Sequence, residues 1–179
     1  MGYGVVEDRR GKLVHVGHGV IKVDPEAALE WRLKELHDAL LTALKLYRPD
    51  AVAVEGVFTF RNARSALILG HARGVALLAA AQAGLTVYEY APAKVKRSVG
   101  AGGSADKDAV ARMVCTFLDL EKLERSDVSD ALAVALCHLN HGRAGVPVAG
   151  GKSAKAQGKS ARARLADKLT PSYRRPEAR

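Results

Sequence analysis

An α/β domain with a mixed sheet is the fold class the sequence predicts, on three observations. Two short β-branched runs open the chain around a polar, Gly-containing turn. A strand, an Ala/Leu-rich helix and a second strand follow one another between residues 51 and 90, and leucines recur at spacings of three and four in the flanking helices. With 179 residues, 48% hydrophobic and 26% charged, the chain suits one domain with a proper core.

Taken in order, residues 3 to 6 and 13 to 23 predict antiparallel strands joined by a turn over Glu7 to Gly11. Asp24 and Pro25 supply an N-cap and a first helical residue. Leu29, Leu33, Leu36, Leu40 and Leu44 then mark one face of a helix that stops before Pro49. Ala51 to Glu55 reads as a short strand, Arg61 to Ala83 as a helix ended by Gly84, and Leu85 to Tyr90 as a further strand. Strand, helix, strand implies a right-handed parallel crossover. A basic stretch with a glycine-rich loop, Lys94 to Gly103, precedes Ser104, which can cap a helix to Leu118. The last helix follows Ser126, with Leu132, Leu136 and Leu139 on its apolar face. Beyond Gly142 the chain is rich in Gly, Ala, Ser and Lys without periodicity, so the expectation is a folded domain over 1–142 and a disordered basic tail over 143–179.

The net charge of +9 is concentrated in that tail, where ten of the 28 Lys and Arg residues face only Asp167 and Glu177. The rest of the chain is close to neutral, so a nucleic-acid reading of the domain must rest on particular residues. No run of eighteen apolar residues and no secretory signal occur, which argues against a membrane span and for the cytoplasm. Cys115 and Cys137 are far apart with apolar neighbours, suiting buried thiols in a reducing compartment rather than a disulfide or a zinc site.

Three carboxylates stand out. Glu55 ends an apolar strand, where it either faces water or belongs to a site, since sites collect at strand ends in α/β sheets. Asp127 and Asp130 lie three apart at the start of the last helix and so share a face; acids there are also favoured by the helix dipole alone. Together, a strand-end Glu and a helix-start Asp pair can converge on Mg²⁺, which takes oxygen ligands and can serve phosphodiester hydrolysis.

The segments VEGVFTFRNARSALILGHARG (54–74), YAPAKVKRSVGAGGSADK (90–107) and SDVSDALAVALCH (126–138) closely resemble the RuvC family of crossover junction endodeoxyribonucleases. The likeness runs through residues 2–142. It implies a ribonuclease-H-like fold, a mixed sheet flanked by helices, and a homodimer. The implied activity is Mg²⁺-dependent paired symmetrical nicking of four-way (Holliday) DNA junctions in recombination and repair, with two ions per intact site. By that resemblance Glu55, Asp127 and Asp130 are the catalytic, metal-binding carboxylates. Phe58 matches an aromatic near the junction, its other reading being a core aromatic. Lys96 and Lys107 match basic positions beside the scissile phosphate. The branch-migration proteins RuvA and RuvB are implied as partners.

The departure from the family pattern lies at the start. Family members open with a strand of the form I-L-G-I-D-P-G, whose Asp is the first metal ligand, before T-G-Y-G-V; here the chain begins Met1-Gly2-Tyr3-Gly4-Val5. The expectation is therefore an N-terminally truncated sequence in which the first central strand and its aspartate are absent. Glu7 and Asp8 are expected in the turn and not as substitutes. The alternative function is a catalytically impaired junction-binding dimer lacking one metal-ligating Asp. His15, His18 and His37 show no metal-ligand spacing with one another, and His71 and His138 fall in helices as structural residues, His138 within the last family motif.

Overall fold

Gly2–Arg9 (β1) and Lys12–Val20 (β2) form an antiparallel ladder from Gly2↔Val20 to Arg9↔Lys12. The computed structural model of the chain describes residues 1–56, 63–100 and 107–143. The ladder runs past the expected turn, which shrinks to Arg10 and Gly11, both at positive φ. Glu7 and Asp8 therefore stand on β1 and not in the turn: Glu7 pairs with Arg9 at 2.8 Å, and Asp8 accepts the Gly11 N–H at 2.8 Å.

Leu29–Tyr47 (α1) starts four residues later than Asp24–Pro25 implies. Asp24 instead closes a local turn, its carboxylate accepting the Glu26 N–H at 2.9 Å and its carbonyl the Ala27 N–H at 3.3 Å. Ala51–Glu55 (β3) and Thr86–Tyr90 (β4) pair in parallel across Ala63–Gln82 (α2), as the crossover argument requires. Pro92–Ser98 (α3) is a helix where the sequence reading saw only a basic stretch leading into a loop. Pro92 occupies its first turn, and Val95 and Val99 bury its inner side. Lys107–Leu118 (α4) and Ser126–Arg143 (α5) complete the fold; Ser104 lies outside the described residues.

The two ladders supply the antiparallel and parallel pairing of a mixed sheet, but β1–β2 and β3–β4 are not hydrogen-bonded to each other among the described residues. What unites them is α5, which packs against all four strands, α3 and α4. Its inner face, Val128, Leu132, Ala133, Leu136 and Cys137, forms the core with Tyr90, Val95, Val99, Val110 and Val114. Cys137 is buried and both thiols are free. The β1 backbone lies so close to α5 that a Cβ at Gly2 would collide with the Asp127 carbonyl, and one at Gly4 would stand 2.5 Å from Leu132 Cδ2.

A bulge changes the other side of the hairpin. Val5 faces Gly17 while Val6 faces His15, leaving Val16 as an extra residue on β2. Regular alternation would put His15 and His18 on opposite faces; the bulge brings His15 Nε2 to 2.8 Å from His18 Nδ1, a contact that spacing alone did not show. No group of three potential metal ligands forms there or elsewhere among the described residues.

Candidate active site

β3 is apolar because it is flanked by the core, and its last residue, Glu55, emerges at the C-terminal edge of the parallel pair. α5 begins at the same end, so Asp127 and Asp130 lie on its first turns, with Asp130 partly buried and Asp127 exposed. Lys96 comes from α3 and Lys107 opens α4. Four elements far apart in sequence thus meet at one edge.

Their proximity is written in the electrostatics. Glu55 is held above the usual carboxylate range, first by desolvation and then by the negative charge of Asp130, while Lys107 and Lys96 pull the other way. Asp130 is raised likewise: desolvation leads, Asp127 adds to it, and Lys107 and Lys96 oppose it. Asp130, Lys107 and Lys96 therefore act on Glu55, and Lys107, Asp127 and Lys96 act on Asp130. Phe58 lies outside the described residues.

Arg73 is a further site residue that the sequence reading passed over. From α2 it donates to the Glu55 backbone carbonyl at 2.8 Å and pairs with Glu89 on β4 at 2.6 Å, tying helix and both parallel strands together beneath the carboxylate. The signal was available, since Arg73 is the single charged residue between Ser65 and Gln82, and a lone charge on so apolar a helix needs a partner. The Gly56 N–H extends the pairing by donating to the Tyr90 carbonyl at 2.7 Å. His138 bonds Tyr90, Nδ1 to Oη, at 2.8 Å.

The donor set is all carboxylate oxygen, which suits a hard divalent cation and not zinc or a soft metal. Carboxylates that raise one another are relieved by a cation between them. Among the described residues no three His, Cys, Asp or Glu side chains gather closely enough to enclose one ion. Such a site fits Mg²⁺, which is commonly held by one or two carboxylates with water and substrate phosphate completing its shell. A separate cleft of about 570 Å³ lies between the hairpin turn and the end of α4, lined by Leu13, His15, Phe117, Leu118 and Leu120, and contains none of these carboxylates.

A family profile described as Crossover junction endodeoxyribonuclease RuvC matches residues 1–138. A crossover junction endodeoxyribonuclease RuvC of Myxococcus xanthus is 72% identical over 181 residues, covering 100% of this chain and 94% of the relative. The RuvC of Pelobacter propionicus is 48% identical over 139 residues, 78% of this chain and 79% of the relative. Among solved structures, Thermus thermophilus RuvC superposes with a TM-score of 0.73 at 37% identity, over 82% of this chain and 91% of that one. The same protein in complex with a Holliday junction substrate gives 0.74 at 35% identity, over 82% and 90%.

Proposed function

Because the chain belongs to the RuvC family of crossover junction endodeoxyribonucleases, with the family's ribonuclease-H-like fold, we propose that it resolves four-way DNA junctions by Mg²⁺-dependent paired symmetrical nicks in recombination and repair. The observation that carries this reading is the meeting of Glu55 and Asp130 with Lys96 and Lys107 at one sheet edge.

In this assignment Glu55, Asp130 and the neighbouring Asp127 hold Mg²⁺, two ions in a complete site. The bound metal supplies Lewis-acid stabilisation of charge on the phosphoryl oxygens. Lys96 and Lys107 hold the scissile phosphate against the carboxylate edge, offsetting repulsion between phosphate and carboxylate and the charge that develops at phosphorus oxygens. Arg73 keeps the end of β3 in place. Phe58 follows Glu55 by three residues, and its assigned role is to stack on a base at the opened exchange point.

A homodimer is part of the reading, because paired nicks on two strands need two sites. α2 supports it. By length and composition its Ser65–Gln82 stretch could cross a membrane, yet Arg73 binds it into the fold, and Leu67, Ile68, Leu69 and Leu78 remain exposed as a surface for a second copy. RuvA and RuvB are the proposed branch-migration partners, and the cytoplasm is the proposed compartment.

The test uses the full chain, a synthetic four-way junction and Mg²⁺. Glu55→Gln, Asp127→Asn and Asp130→Asn should each lower cleavage by orders of magnitude while junction binding in Ca²⁺ is kept or improved. Binding lost in parallel with cleavage, or cleavage retained, would show the carboxylates to be structural. The second reading, a junction-binding dimer with impaired cleavage, is favoured by the absence of an enclosing set of three ligands among the described residues. If one ligand is short, a version carrying an additional N-terminal strand with a single Asp should cleave much faster than the chain as it stands; equal rates argue that the present carboxylates suffice.

A further inference from the structure

Tyr90 closes β4 and is fully buried, and it is bound at both ends of its structure. Its backbone stands opposite Glu55 in the parallel register, and its carbonyl accepts the Gly56 N–H at 2.7 Å. Its phenol oxygen reaches α5, 2.8 Å from His138 Nδ1, while the Tyr88 ring lies against the same imidazole with centroids 4.5 Å apart. His138 follows Asp130 by two helical turns, about 12 Å along the axis. Two residues further, Asn140 Nδ2 donates to the carbonyl of Ser98 at 3.1 Å, the last residue of α3 and two beyond Lys96.

The segment carrying Lys96 is thus fastened to α5 just before it begins, at Tyr90, and at its end, at Ser98. The same fastening holds the strand edge that carries Glu55. We propose that His138 and Asn140 are positioning residues which, through Tyr90 and the Ser98 carbonyl, fix the rotation and register of α5 so that Asp127 and Asp130 face Glu55 and Lys96. This deepens the nuclease reading and rests on it.

An apolar pair in that place would fill the same volume without direction; a partly buried phenol–imidazole bond is directional and resists rotation of the helix. Burial pushes the Tyr90 phenol up to about 12, so it keeps its proton, and holds His138 below its usual value, so the ring is neutral and the two share a single Oη–Nδ1 hydrogen bond.

The experiment compares the full-length protein with Tyr90→Phe, which keeps the ring and removes only the hydroxyl, with His138→Leu, and with His138→Gln, whose amide can donate or accept in place of Nδ1. Amide exchange without DNA or metal is the first readout. Tyr90→Phe and His138→Leu should speed exchange at Gly56 and at Val99 and Gly100 by about tenfold or more, leave α1 unchanged, and be partly reversed in His138→Gln. Single-turnover cleavage of a four-way junction in Mg²⁺ is the second. It should fall by about tenfold to a hundredfold in the first two variants, with junction affinity in Ca²⁺ within about twofold and recovery in His138→Gln.

Exchange that rises uniformly over the whole chain, or stays the same at those amides, overturns the positioning role, as does a glutamine variant no better than leucine. If the unaltered chain shows no junction cleavage at all, the nuclease reading fails, and the exchange measurement still decides whether the bond holds α5 in register.

Discussion

A carboxylate that is half withdrawn from water beside another carboxylate destabilises the metal-free protein, and the sign of the effect is testable at Asp130. Glu55 and Asp130 both have raised affinities for protons in the folded state. Their contribution to stability is therefore complete below the ordinary carboxylate range and is lost as pH rises through their raised values, because the unfolded chain then binds fewer protons than the folded one. At pH 7 to 8 the cost of keeping both groups ionised while partly withdrawn from water is fully present. Asp130→Asn should accordingly raise the unfolding midpoint of the metal-free protein by up to about 2 °C, the scale that a solvent-screened desolvation cost of under about 1 kcal/mol gives a domain of this size. The gain should vanish when the scan is repeated near pH 3.5. Mg²⁺ should stabilise the unaltered chain and leave Asp130→Asn nearly unmoved. Calorimetry with and without Mg²⁺ reads all three; an Asp130→Asn protein less stable at pH 8 than its parent would mean that the attraction of Lys107 and Lys96 for the carboxylate outweighs its desolvation.

At the scale of elements, the site depends on two close approaches. One is Arg73, whose planar fork serves the Glu55 carbonyl and the Glu89 carboxylate together. Arg73→Ala should cost about 1–3 kcal/mol, since the carbonyl and carboxylate lose a charged partner. Arg73→Lys should recover only part, because an ammonium lacks the fork's geometry; urea midpoints measure both. The other is β1 on α5, where Gly4→Ala places a methyl 2.5 Å from Leu132 Cδ2 and 3.1 Å from the Leu132 nitrogen. A fully buried leucine has little room to yield, so a loss of about 1–3 kcal/mol is expected in the same measurement. These approaches show where sequence reasoning succeeds and stops. The hairpin, the crossover and α5 were legible because each carries a local period or punctuation; Glu55, Asp127 and Asp130 were singled out because the motifs around them resemble a family, and the structure brings Asp130 within electrostatic reach of Glu55. α3 was not, since seven residues are too few to show a helical period and its lysines read as loop. The His15–His18 contact was hidden by a bulge, and Tyr90–His138 by a separation of 48 residues, with no pattern in either segment naming its partner.

At the scale of the whole molecule, charge is divided between a nearly neutral domain and a strongly basic C-terminal stretch, and the division assigns different work to each part. The domain's 19 basic residues are nearly balanced by 17 acidic ones, and among them Lys96 and Lys107 act on the carboxylate edge. Residues 144–179 carry nine of the 28 basic residues against two acids, and Tyr173 is the one aromatic among them. Without a row of aromatics to stack on bases, that stretch is suited to phosphate contacts, which release counterions from any duplex regardless of sequence or branching. Deleting 144–179 should therefore weaken binding to linear duplex and to four-way junctions by similar factors. The fall of log K with log salt should become shallower by about 0.9 for each phosphate contact removed. Cleavage at saturating protein should survive, because the carboxylates, Lys96, Lys107, Tyr90, His138 and Asn140 all precede the cut. Fluorescence anisotropy with both DNAs over a salt series makes the measurement. If the shortened protein binds duplex as before and loses the junction alone, the basic stretch reads branch geometry, and the account of it as a general phosphate binder is wrong.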